Sequence, residues 1–361
     1  MERLRIEITG IVQGVGFRPF VYNLASSKGI KGFVLNDSKG VIIEAEGERL
    51  EEFITTLKAS PPPLARIEAI KTLRLPPVGY KDFEIRESIK EEGLSTLVSP
   101  DIAVCKDCLE ELFDPSDRRY LYPFINCTNC GPRYSITLDI PYDRPNTTMK
   151  AFKMCKRCEE EYHDPFSRRF HAQPNACPEC GPKLQLRVTS DEFSSTGVYP
   201  PQVVTGLKPC LYTNKIKPLT NTNALKKTVE LLKDGAIVAI KGLGGFHLAC
   251  NATNDEAVKK LRERKRGSNK PFAIMLPDIE TIRQFCVITC DEEMILNIPV
   301  RPIVLIEKKK DASISDFVAP ENNYFGCMLP YTPLHYLLFY YPLTHNSSLP
   351  GLAPCPTDGR R

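Results

Sequence analysis

The sequence predicts an α+β multidomain protein, on three observations. Over residues 1–90 the apolar positions switch from period two to helical spacing and back, in the order β-α-β-β-α-β, the ferredoxin-like arrangement. Between Cys105 and Cys180, eight cysteines fall into four C-x-x-C pairs. Over residues 215–340, helix-like and strand-like stretches alternate as in an α/β unit. The expected organisation is therefore 1–90, 100–186 and 215–340, followed by an irregular tail over 341–361.

In the first unit, LRIEIT (4–9) alternates as a half-buried strand should, and FRPFVYNLASS (17–27) spaces Phe20, Val21 and Leu24 as a helix does before stopping at Lys28-Gly29. Residues 32–35 and 41–45 read as strands joined by the turn Asn36-Asp37-Ser38-Lys39-Gly40, residues 48–57 as a helix, and residues 81–85 as the last strand. The stretches ASPPPLA and LPPVG read as loops. A polar linker is expected over 87–99 and a proline-bearing connector over 189–218. Beyond it, residues 223–232 and 255–264 read as helices, and 236–241, 272–276 and 303–306 as strands.

At 361 residues the chain has room for two or three cores, and 42% hydrophobic with 25% charged residues is ordinary for a globular protein. The net charge of +4 gives no general attraction to nucleic acid, which is not expected as a partner. No apolar run approaches the ~20 residues needed to span a bilayer, and the start MERLRIEITG has no signal core, so no membrane partner and a cytoplasmic location are expected.

Fourteen cysteines are many for such a chain, and clustered cysteines in a reducing compartment more often hold metal than form disulfides. The pattern C-x2-C-x18-C-x2-C occurs twice: Cys105, Cys108, Cys127 and Cys130 recur fifty residues later as Cys155, Cys158, Cys177 and Cys180. Glu110-Glu111, Asp114-Pro115, Arg118-Arg119 and Gly131-Pro132 recur with them. Each C-x-x-C turn can aim two thiolates at one ion, so two structural Zn2+ sites of four sulfurs are expected. Spacing leaves the pairing of turns open. His163 and His171 fall opposite Phe113 and Leu121 in the repeat, which gives them no ligand role. The other six cysteines read as small hydrophobes.

The stretch GIVQGVGFR (10–18) sits between the first strand and the first helix. Gly14, Val15, Gly16 and Phe17 can present backbone N–H groups at a helix N-terminus, and Arg18 can fork onto phosphate oxygens, so a phosphate or acyl-phosphate dianion is the matching ligand. With KGFVLN (31–36), the motif resembles the acylphosphatase signature. The resemblance implies that Arg18 clamps the phosphate and Asn36 orients the attacking water.

In the third unit, KGLGGFHLACNA (241–252) follows a strand, and ERKRGSNKPF (263–272) follows a helix. A glycine turn beside a basic cluster suits a polyphosphate, though no G-K-[ST] closes a P-loop. These stretches resemble the YrdC-like family, which makes carbamoyl-type adenylates from ATP. The resemblance implies nucleotide or carbamoyl contacts from Lys241, Lys265, Arg266, Ser268 and Lys270, with His247 lining the same pocket.

The order of the three units resembles the HypF family of hydrogenase-maturation carbamoyltransferases. That resemblance implies carbamoyl phosphate and ATP/Mg2+ as substrates, a carbamoyl adenylate, and transfer of the carbamoyl group to the C-terminal cysteine of the partner HypE for cyanide-ligand synthesis. The tail THNSSLP onward departs from the family, whose C-terminal transfer domain is not found, so a truncated YrdC-like unit lacking full transfer is expected. From the residues alone, an acylphosphatase joined to an RNA-directed or scaffold module also stays open.

Overall fold

A computed structural model describes residues 2–89, 98–187, 202–205, 219–265 and 269–344. The chain divides into two compact units: 1–111 with 116–119 and 125–181, and 112–115 with 120–124 and 182–361.

The first unit begins with β1 (Glu2–Ile11), α1 (Phe17–Lys28), β2 (Lys31–Asn36), β3 (Val41–Gly47), α2 (Leu50–Ala59), β4 (Arg66–Leu75) and β5 (Phe83–Ile85). The sheet order is β4-β1-β3-β2-β5, antiparallel except for β5, which joins β2 in parallel. Alternation on β1 turns Leu4, Ile6 and Ile8 to one face, where they meet Val21 and Ala25 of α1, Ile43 of β3 and Phe53 and Leu57 of α2. This is the ferredoxin-like βαββαβ layer with one added strand.

The strand expected at 81–85 is that addition, and the fourth ferredoxin strand is β4, which lies between the two expected proline loops and was assigned to no element. β4 lies at the sheet edge and is largely exposed, so its side chains carry no clean alternation. A bulge opposite Thr9 and Gly10 also breaks its register.

The cysteine-rich segment contributes α3 (Lys106–Phe113) and α4 (Lys156–His163), each beginning one residue after the first cysteine of its module, together with short 3₁₀ turns at Tyr134–Ile136, Arg144–Asn146 and Thr148–Ala151.

The second unit carries β6 (Leu184–Arg187), β7 (Gln202–Thr205), β8 (Leu219–Thr220), α5 (Asn221–Lys233), β9 (Val238–Lys241), β10 (Phe246–Ala249), α6 (Asp255–Arg264), β11 (Ala273–Met275), α7 (Ile279–Phe285), β12 (Cys286–Val287), α8 (Cys290–Asn297), β13 (Val304–Lys308), β14 (Tyr324–Met328) and α9 (Pro333–Thr344). One sheet runs β10-β9-β7-β6-β8 and the other β11-β14-β13-β12. Ile274, Ile282, Cys286, Leu296, Ile306, Phe325 and Cys327 form the core beside the second sheet. The expected connector over 189–218 therefore includes a strand, β7, which pairs with β6 and β9. Among the remaining cysteines Cys286 and Cys327 are buried as expected, Cys250 is half-buried and Cys290 is exposed, while Cys210 and Cys355 lie outside the described residues.

Candidate active site and metal centres

The eight cysteines form two clusters, each drawn from one module: Cys105, Cys108, Cys127 and Cys130, and Cys155, Cys158, Cys177 and Cys180. This settles the pairing that spacing left open. Around the first cluster, neighbouring Sγ atoms stand 3.7, 3.7 and 3.6 Å apart, and around the second 3.8, 3.7 and 3.6 Å. A tetrahedron with Zn–S bonds of about 2.3 Å has edges of about 3.8 Å, so the donor sets fit zinc, and the separations are far too long for disulfides. His163 and His171 stay out of both clusters and pack against Tyr162 instead, His163 edge-on and His171 tilted.

The recurring Arg-Arg and Glu pairs are exchanged between modules. Arg119 of the first donates to Glu161 of the second (2.5 Å) and to the Ala176 carbonyl (2.9 Å). Arg118 donates to Cys158 Sγ (2.6 Å). In return Arg169 pairs with Glu111 and donates to the Asn126 carbonyl (3.2 Å), while Arg168 donates to Glu111 (2.5 Å) and stands 3.8 Å from Cys108 Sγ. Burial opposes ionisation of both glutamates, but the facing guanidiniums hold Glu111 and Glu161 below the usual carboxylate range. A Zn(Cys)4 centre carries net negative charge, so each cluster is faced by cations of the other module.

The glycine loop joins β1 to α1. Gly14 and Gly16 take left-handed φ of 72° and 76°, and Gly16 is the residue from which α1 starts. A Cβ at Gly16 would stand 2.9 Å from Thr128 Cγ2. The loop is pinned from both sides. Gln13 Nε2 donates to the carbonyls of Asp37 (2.8 Å) and Gly40 (2.7 Å), locking the loop to the β2–β3 turn, and Gln13 Oε1 accepts from Tyr142 N (3.0 Å). Arg133 Nε donates to the Gly14 carbonyl, while its other nitrogens donate to the carbonyls of Cys127, Thr128, Cys130 and Pro132. A trans peptide points its C=O and N–H in opposite directions, so this anchor turns the Val15 N–H away from Arg133.

Arg18 is buried in the first turn of α1, and Asn36, also buried, closes β2. With the Asn36 amide turned to suit its neighbours, Oδ1 accepts from Arg18 Nε (3.2 Å) and Nη2 (3.3 Å). The structure thus brings together Gly14, Gly16, Phe17, Arg18 and Asn36, all of which line one pocket. Val15 is buried in the core beneath it.

The same pocket is walled by four residues that no motif marked, Thr128, Arg133, Tyr142 and Gln173, and by His171, which the repeat set aside only as a metal ligand. Arg18 Nη2 donates to Asp143 Oδ1 at 2.7 Å, and Ser88 Oγ holds the other carboxylate oxygen. Tyr142 Oη is buried with no hydrogen-bond partner among the described residues, and burial pushes its phenol above the ordinary value. Burial, then Arg18 and His163, push His171 down to about 3, so its ring is neutral at physiological pH. The one signal in the sequence was that PYDRPNT (141–147) belongs to the spacer between modules and has no repeat counterpart.

In the second unit, Lys241 and His247 lie on opposite strands of the β9–β10 hairpin, Lys241 in register with Phe246 and His247 with Ile240, and its turn is closed by a Gly242 N–H to Gly245 carbonyl bond of 2.9 Å. Lys241 Nζ stands 5.6 Å from the Phe246 ring centre, and His247 Nδ1 lies 3.5 Å from Tyr331 Oη. Lys265, just beyond α6, stands over Phe272, and the Lys270 carbonyl accepts from Arg262 (3.3 Å). Arg266 and Ser268 lie outside the described residues. No helix among the described residues is long and apolar enough to cross a membrane.

Three family models match the chain: acylphosphatase over 4–85, HypF finger over 104–137 and 154–187, and the YrdC-type model described as telomere recombination over 230–358. Carbamoyltransferase HypF2 of Cupriavidus necator is 48% identical over 344 residues, covering 94% of this chain and 39% of the relative. The acylphosphatase of Thermotoga maritima is 43% identical over 89 residues, 24% of this chain and 98% of that enzyme. A crystal structure of full-length HypF in the phosphate- and nucleotide-bound form superposes with a TM-score of 0.82 at 47% identity, over 94% of this chain and 41% of that one. The chain therefore spans about two-fifths of the length of the HypF relatives it matches. With a cysteine-rich module between an acylphosphatase unit and a YrdC-like unit, and with this identity along nearly its whole length, the chain belongs to the HypF carbamoyltransferase family.

Proposed function

We propose that the glycine-loop pocket hydrolyses carbamoyl phosphate and that the second unit passes the carbamate on to ATP. The observation that carries the first half is the contact of Arg18 with Asn36 beside the loop at the start of α1. The loop amides and Arg18 hold the phosphate dianion, and Asn36 orients water. The water oxygen bonds to phosphorus as the bond from phosphorus to the carbamoyl oxygen breaks. Carbamate and dihydrogen phosphate leave, conserving the two negative charges. An acyl phosphate is already activated, so positioning and charge stabilisation suffice without a covalent nucleophile.

In the second unit, Lys241, His247, Lys265, Arg266, Ser268 and Lys270 are the proposed contacts for ATP/Mg2+ and the carbamoyl group. Carbamate oxygen attacks the α-phosphorus, pyrophosphate leaves and carbamoyl adenylate forms. The match of the YrdC-type model and the nucleotide named for the HypF crystal structure support this half. In the complete pathway the carbamoyl group goes to the C-terminal cysteine thiol of HypE, releasing AMP, in the cytoplasm. The two clusters hold structural zinc, whose closed sulfur shells leave no position for substrate.

The test is phosphate release from carbamoyl phosphate, alongside carbamoyl-phosphate-dependent ATP–pyrophosphate exchange. Arg18→Ala and Asn36→Ala should each lower phosphate release by about 10²–10³-fold, the usual loss when one oriented donor is removed. Turnover unchanged in both variants would refute the assignment.

A further inference from the structure

We infer that Asp143, on the spacer between the two cysteine modules, is a positioning residue for Arg18: it fixes the angle from which the guanidinium holds the acyl phosphate, and Ser88 in turn fixes Asp143. The inference rests on the proposed hydrolysis and adds to it the source of the guanidinium's orientation. Both residues lie beyond the acylphosphatase match over 4–85.

An arginine is a flexible stem ending in a planar fork, and the fork stabilises a transition state best when it need not reorganise. Arg18 is 8% exposed, and groups from three segments meet its fork. From β2, Asn36 Oδ1 accepts from Nε (3.2 Å) and Nη2 (3.3 Å). From the spacer, Asp143 Oδ1 accepts from Nη2 at 2.7 Å, with the Tyr142 carbonyl 3.5 Å from the same nitrogen. Nη1 has only a 3.5 Å approach to Ser88 Oγ among the described residues. The edge formed by Nε and Nη2 is therefore committed to the protein, and Nη1 is the nitrogen left with donors for a phosphate oxygen.

Asp143 can impose this orientation because it is itself held. Its Oδ2 accepts from Ser88 Oγ. Ser88 sits on a segment that continues the pairing beside β2, where Arg86 N donates to the Val34 carbonyl and Ile89 N to the Asn36 carbonyl, both at 2.9 Å. The backbone on either side of Asp143 is tied as well: Tyr142 N donates to Gln13 Oε1 (3.0 Å) and Arg144 N to Gln173 Oε1 (2.7 Å). With both carboxylate oxygens engaged inside the protein, Asp143 acts through Arg18 and not on the substrate.

Charge sets the sign of its effect. A carboxylate beside the guanidinium partly neutralises it and repels a phosphate dianion, so the pair works against affinity. The gain falls on geometry, where a misplacement of about 1 Å costs on the order of 10²-fold in rate. Loss of Asp143 should therefore slow turnover while phosphate binds as tightly as before or more tightly.

The experiment measures kcat and KM for carbamoyl phosphate, inorganic phosphate affinity by calorimetry, and thermal melts, on the zinc-loaded wild type, Asp143→Ala, Asp143→Asn and Ser88→Ala. Asp143→Ala should lower kcat by about 10- to 100-fold and bind phosphate no more weakly than the wild type. Asp143→Asn, which keeps an acceptor for Nη2 and the shape if alanine fails to fold, should recover part of the loss. Ser88→Ala should lower kcat severalfold. A kcat unchanged in both Asp143 variants overturns the inference, and so does a raised kcat, which would make the carboxylate a block on Arg18. A parallel loss of kcat, phosphate affinity and melting temperature also overturns it, by assigning Asp143 to the fold alone. A wild type that binds no phosphate and hydrolyses no carbamoyl phosphate overturns the hydrolytic reading instead.

Discussion

Arg133 donates from Nε to the carbonyl of Gly14, while its remaining nitrogens donate to carbonyls of the second C-x-x-C turn of the first module, Cys127–Cys130. Metal and anion loop are thereby coupled through one side chain. Small modules of this kind unfold when zinc is removed. Chelation should therefore weaken inorganic phosphate binding by at least about tenfold, the effect of losing an anchor of roughly 1.4 kcal/mol. Calorimetry before and after zinc removal measures it, and an affinity unmoved by chelation would mean that the loop stands without its anchor.

Gly16→Ala should cost more than Gly29→Ala. Both glycines have left-handed φ, at 76° and 67°, which costs a non-glycine residue about 1–2 kcal/mol. Only at Gly16 does the added Cβ meet a neighbour, Thr128 Cγ2 at 2.9 Å, whereas Gly29 has open space. Denaturant melts of the two variants should differ in that order, with phosphate affinity falling only for Gly16→Ala.

Replacing Arg119 with Met should destabilise the zinc-loaded protein by about 3 kcal/mol, because it removes a buried guanidinium and leaves Glu161 only its longer, 3.4 Å pair with Arg118. The loss should fall on the second cluster, whose Cys158 also accepts from Arg118 and Arg119. Arg169→Met should instead weaken the first cluster. Competition with a chelator, read as the order in which the two ions leave, would show the same order in both variants if the exchange carried no energy.

His335 gives the second unit a pH dependence. Burial, and then nearby His247, push it down to about 3 from an ordinary 6.5. Its Nδ1 accepts from the Thr332 backbone N–H (3.4 Å), and the His335 backbone N–H donates to Thr332 Oγ1 (3.2 Å). Between those two values the unfolded chain holds a proton that the folded chain refuses. Stability is therefore greatest above pH 6.5 and falls as pH drops toward 3, by up to about 1.4 kcal/mol per pH unit from this group. His335→Gln should flatten that slope, and identical slopes would assign the acid sensitivity elsewhere.

The sequence made legible whatever a strict spacing specifies. Helix α6 falls on the residues expected from periodicity, and the cysteine repeat located both clusters, because ligand geometry tolerates little variation in a C-x-x-C turn. Strand β4 escaped notice because an exposed edge strand has no buried face to impose alternation. β7 escaped because it pairs with β6 and β9, contacts between residues distant in sequence. Arg18 and Asn36 were marked by a local motif, but Tyr142 and Arg133 line the same pocket, and Asp143 pairs with Arg18, from more than a hundred residues beyond the glycine loop, and nothing in their own neighbourhood announces it.

The exchanged arms of the cysteine modules make the pair resemble a homodimer tethered in one polypeptide. A solitary copy would display Arg118 and Arg119 with no acidic mate and Glu111 with no basic one, so folding one half presupposes the other. Insertions between the knuckles of either copy would displace an arm that its sibling depends on, and the fifty-residue phase between them is in effect a symmetry operator written into the primary structure.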